Sequence, residues 1–159
     1  MRLTPDAVRE ERDWVKNRAS VVVPLVNDVR EKLGAQFDVT VEPIIEAAYR
    51  DAVDEVFADG TLAVNVAGIV AILRDLDCEG DYPGFVVDEL LGRELAAMIA
   101  GNQPFHLLGQ ATFHFADVHT HTSGVAGADD LDAALAAGFQ TRLPGWSWTE
   151  GESPFSVTD

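Results

Sequence analysis

Between Val8 and Leu33 the sequence carries Val8, Arg12, Val15, Ala19, Val22, Val26, Val29 and Leu33 at alternating steps of four and three, apolar but for Arg12. Positions so spaced share one side of an α-helix, and a stripe of this kind has to be buried against something. Pro24 falls inside it. A proline offers no N–H to the carbonyl four residues back, and its ring presses on the preceding turn. The helix therefore kinks near Ser20 or restarts there as a second helix ending at Gly34. The β-branched run Val21–Val23 favours the break. Upstream, "LTPD" offers Thr4 as an N-cap, Pro5 at the first helical position and Asp6 in the first turn. The stripe could be an oligomer seam or the inner face of an ordinary amphipathic helix. Its length is close to the minimum for a coiled coil, so the second is expected.

Further along, "QFDVTVEP" alternates Phe37, Val39 and Val41 and reads as a short strand. A helix from Ile44 to Phe57 puts Ile45, Ala48, Tyr49, Ala52 and Val56 on one face. Thr61 caps the next segment, which is helical by Leu62, Val66, Ile69, Val70, Leu73 and Leu76; alternation of Leu62, Val64 and Val66 leaves a strand open for its first half. After the turn "EGDYPG", a helix from Phe85 to Ala100 stops at Gly101-Asn102. "ATFHFADVHTH" alternates Phe113 and Phe115 with polar neighbours and reads as β-structure over about 111–122, and residues 129–137 form a short helix opened by aspartates. "LPGWSWTEGESPFSVTD" has no period. The expected fold is mainly α, a helical bundle of four to five helices with a short β-strand or hairpin element, in one domain over 1–143, with an extended C-terminal arm over 144–159. Large rings on a free arm call for a partner, which makes Trp146, Trp148 and Phe155 interface candidates.

Charge narrows the partners. The chain has 27 acidic and 11 basic residues, a formal charge of −16, and residues 61–159 hold 14 acids against three bases. Such a field repels phosphates, so neither direct nucleic-acid binding nor an anionic membrane surface is expected. Two lysines against nine arginines, with abundant Val, Ala and Asp, resemble the proteins of haloarchaea and their viruses; an acidic surface from a high-GC bacterium looks the same. Cys78, the single cysteine, lies in the acidic turn "DLDCEGDYPG" and is expected to be an inert thiol. With no leader and no long apolar run, the chain is expected to be soluble and not secreted.

The strongest hint of chemistry is "HFADVHTHTSG" at residues 114–124, which gathers three of the four histidines. In a strand, alternate residues share a face, so Asp117, His119 and His121 would present two imidazoles and a carboxylate to one cation. "DVHTH" resembles the opening metal-binding strand of PHP-type phosphoesterases and, more loosely, of amidohydrolases. That resemblance implies divalent metal on His119 and His121 and hydrolysis by a metal-activated water. In those families later barrel strands complete the ligand set, whereas the 38 residues after His121 hold no histidine. Any metal there is therefore expected to be shared between subunits. No GxSxG, GxGxxG or phosphate-binding loop is present.

Taken together, these features lead us to expect a structural subunit of a large oligomeric assembly, most specifically an adaptor-type head–tail connector in the virion of a tailed virus with a halophilic host. Its partners would be its own copies and other structural subunits such as a portal-like ring, in the virion or the host cytoplasm. The alternative is a divalent-metal-dependent hydrolase using the His119/His121 pair, the one case in which a cofactor is expected.

Overall fold

A computed structural model describes residues 2–76, 87–120 and 128–146. The described residues form seven α-helices and one π-helical stretch. Helix α1 spans Pro5–Asn17 and α2 spans Ala19–Phe37. The Thr4 hydroxyl accepts the Ala7 N–H at 3.1 Å, the cap read from the sequence. The break in the long stripe falls at Arg18, just ahead of Ser20, and α2 runs through Pro24 and past Gly34 to Phe37. Asp38 then takes a left-handed conformation (φ 55°, ψ 43°), and the Val39 N–H returns to the Gly34 carbonyl at 2.8 Å. A Cβ on Gly34 would lie 2.6 Å from the Val39 carbonyl oxygen, so the turn needs glycine there. Val15, Ala19, Val22, Val26 and Val29 are all buried. The stripe serves the chain's own core.

Helix α3 is Glu46–Ala58 and α4 is Gly60–Asp75. Asp59, rather than Thr61, caps α4, with its carboxylate accepting the Leu62 N–H at 3.1 Å. Residues 62–66 are helical. A π-helical stretch, Val87–Gly92, leads into α5 at Arg93–Ala100; α6 is Phe105–Thr120 and α7 is Ala128–Gln140.

No strand occurs among the described residues, which corrects both β assignments. Phe37 closes α2 and residues 39–45 are irregular. Residues 111–120, read as strand from the alternation of Phe113 and Phe115, lie in α6 instead. Gly109, Thr112, Phe113 and Ala116, at helical spacing, are its buried set. Contact geometry explains the choice. Gly92 leaves a hollow for the Phe113 ring, since a Cβ there would meet it at 2.6 Å, and Gly109 lets α6 close on Ala96 and Ala100 of α5.

Helix α7 is the hub. From Asp130 to Thr141 every residue but Asp132 is buried, and α7 touches α2, α3, α4, α5 and α6. An alanine-rich helix, thin on all sides, suits that place. At Gly138 an added Cβ would sit 2.7 Å from Ile99 Cβ and 3.0 Å from the Ala96 carbonyl. Glycines therefore set the close approach of α5 to both α6 and α7.

Polar links tie the outer helices to this hub. The Arg18 guanidinium grips Asp132 with two bonds, of 3.1 Å from Nε and 2.7 Å from Nη2. Trp14 stacks between Arg18 and Arg74, 5.5 and 4.4 Å from the ring centroid, and Arg74 pairs with Glu11 at 2.7 Å. The buried Tyr49 hydroxyl donates to the Val15 carbonyl at 2.8 Å, and its ring meets Phe139 edge-on. No single helix among the described residues is long and apolar enough to cross a membrane.

Candidate assembly interface

Asp117 and His119 lie on the last turn of α6, and the side chain of His119 is outside the described residues, as is the whole of His121. On a helix, residues two apart stand about 200° from each other around the axis, so the backbone here differs from the strand on which Asp117 and His119 are expected to share a face. His114 is exposed on the same helix, and His106 lies at its opposite end. Among the described residues no three His, Cys, Asp or Glu side chains gather in a way that could hold a metal ion.

What α6 does carry is an exposed stripe. Leu107, Ala111, His114 and Val118, spaced four, three and four, all face outward, with Leu107 61% and Val118 72% exposed. They fall within a narrow arc on the side opposite the packed Gly109, Thr112, Phe113 and Ala116. The 16 residues of α6 include one formally charged side chain, Asp117. On a chain of net charge −16, this is a face where a second acidic surface can approach without bringing carboxylates together. A lone exposed leucine is unremarkable, but apolar positions in register along a helix are the form of a helix-packing face.

A second apolar group sits on the α2–α3 connection, where Phe37, Val39 and Ile45 are 64%, 51% and 69% exposed. Close by, Trp146 departs from the expectation of an outward-facing interface residue. It is 3% exposed, a core residue of its own chain. Its indole N–H donates to Gln140 Oε1 at 3.1 Å, which also accepts from Arg30 Nε at 2.6 Å, while Gln140 Nε2 donates to the Val26 carbonyl at 3.2 Å. Arg30 Nη1 reaches the Glu42 carbonyl at 3.0 Å, and its guanidinium lies 5.9 Å from the Trp146 ring centroid. Gly145, at φ 109°, allows this, because a Cβ there would stand 2.9 Å from Arg30 Nη1. Burial pulls the pKa of the Arg30 guanidinium down to about 10, and its Nη2 has no hydrogen-bond partner among the described residues. This knot pins residue 146 beside the α2–α3 connection. Trp148 and Phe155, the other two interface candidates, lie outside the described residues.

Nothing in the sequence motifs above singles out Leu107, Val118, Arg30 or Gln140. Leu107 and Val118 were available in the period of α6 once its helical character was recognised. Arg30 and Gln140 stand 110 positions apart, and nothing local links them.

No curated protein and no solved structure matches the chain. A family model described as Domain of unknown function (DUF7984) matches residues 1–159, and the chain belongs to that family.

Proposed function

We propose that this protein is a structural subunit that works by packing against copies of itself and other subunits, with the exposed face of α6 as a principal contact. The observation that carries the proposal is that uncharged stripe, Leu107, Ala111, His114 and Val118, on a chain of net charge −16. Burial of such a face on association is favoured by roughly 25 cal/mol per Å² of apolar surface. The apolar residues of the α2–α3 connection would add a second contact. The more specific form of the proposal is an adaptor-type head–tail connector, ringed beneath a portal-like partner, in a tailed virus of a halophilic host. It is supported by acidity with few lysines, and by the poor affinity of an anionic wall for DNA sliding past it.

The test is mass in solution by light scattering, in concentrated potassium chloride, for the wild type and for Leu107→Glu/Val118→Glu. We expect a wild-type oligomer that the double variant reduces to monomer at an unchanged melting temperature. A wild type that stays monomeric at every concentration sinks the self-association. Stoichiometric zinc or manganese on a monomer, lost in His119→Ala/His121→Ala, would replace the proposal with the metal-dependent hydrolase.

A further inference from the structure

Of the described lysines and arginines, seven pair with carboxylates: Arg9, Arg12, Lys16, Arg18, Lys32, Arg50 and Arg74. Arg142 does not. Among the described residues no carboxylate comes within ion-pair distance of it, although acids outnumber bases 27 to 11. Its Nε donates to the Ile99 carbonyl, which holds the half-buried guanidinium in place. Nη2 lies 3.7 Å from where a Cβ on Gly101 would stand, at the wall of a cleft of about 750 Å³.

Three segments far apart in sequence meet at this cleft: the start of α4 with Asp59, the α5–α6 turn with Gly101, and Thr141 and Arg142 just after α7. Its volume is within the usual range for small-molecule sites. Leu62, Met98 and Phe105 give it apolar wall, and Asn65 and Asn102 give it amides. Helices α4 and α6 both begin at its rim; the Asp59 carboxylate caps the start of α4, while the positive dipole end of α6 adds to the charge of Arg142. Burial lowers the pKa of Arg142, while Glu55 and Asp59 act on it from a distance in the opposite sense.

We propose that this cleft binds a small monocarboxylate, with the Arg142 guanidinium on its carboxylate and its carbon chain against Leu62, Met98 and Phe105. The guanidinium fork matches a carboxylate in two-point geometry, and a ligand there would supply the close ion pair that no described carboxylate makes with Arg142. Asp59 in the lining and Glu55 nearby select against dianions such as phosphate, which meet that repulsion twice. The site makes no use of Leu107 or Val118, so it stands or falls independently of assembly.

The test is a titration of the full ¹⁵N-labelled chain with butyrate, and separately with inorganic phosphate, at constant ionic strength. Saturable amide shifts at Thr61, Gly101 to Gln103, Phe105, His106 and Arg142 are expected with butyrate, and weaker ones with phosphate. Arg142→Gln should weaken butyrate by about tenfold or more, the usual worth of a two-point charged contact. Because that variant also gives up the bond to Ile99, Thr61→Trp provides a second block: it fills the cleft from an exposed position and should abolish binding at an unchanged melting temperature. Shifts that never saturate, phosphate binding as tightly as butyrate, or butyrate binding unweakened in both variants would overturn the proposal.

Discussion

Tyr49 shows how much a single polar atom in this core depends on its surroundings. Its hydroxyl is buried and bonded to the Val15 carbonyl, and burial first, then the Asp132 carboxylate, push its pKa far up, with Arg18 opposing. In the unfolded chain the phenol ionises near its usual value of about 10. Above that pH the unfolded state gives up a proton that the folded state keeps, so stability is full below pH ~10 and falls as pH rises beyond it. Thermal melts from neutral pH to alkaline should show this fall in the wild type and a flatter profile in Tyr49→Phe. At neutral pH the same variant should lose about 1 kcal/mol for the missing hydrogen bond. At this scale the sequence is legible where the physics is local. Thr4 could be read as a cap because its partner is three residues away, whereas the place of Trp146 depends on Arg30 and Gln140, which meet it only in the folded chain.

Between elements, glycines decide how closely helices approach. Gly138→Ala would improve the intrinsic helix propensity of α7 by about 1 kcal/mol, yet its methyl would stand 2.7 Å from Ile99 Cβ. Overpacking should win, with a net loss of roughly 1–3 kcal/mol in urea unfolding. Gly60→Ala, with nothing within 4 Å of the added methyl, should raise stability by about 0.5 kcal/mol in the same assay. Truncation tests the end of the described fold. A chain cut after Leu143 loses Trp146 from the core and should be less stable than one cut after Trp146 by about 3 kcal/mol or more. The helical stripe of α1 and α2 was readable because its period runs for many residues. The four-residue alternation around Phe113 was not, because so short a window fits both periods, and the hollow at Gly92 that receives the ring belongs to another element.

For the whole molecule, a charge of −16 sets the response to salt. Most of the ion pairs are at the surface and worth little each, so screening should remove more repulsion than attraction. The melting temperature should therefore be higher in about 2 M potassium chloride than in dilute buffer, by scanning calorimetry, and an unchanged or lower value would contradict this. Composition and period by themselves determined that the chain is mainly helical, where its first helix starts and breaks, and that its net charge is strongly negative, since each follows from spacing along the chain or from summed charge. Only the tertiary structure decided that residues 105–120 are a helix, that Trp146 is core, that Leu107 and Val118 are left outside, and that Arg142 lines a cleft without an ion pair to any described carboxylate. Those outcomes rest on contacts between residues tens of positions apart, which no local pattern encodes.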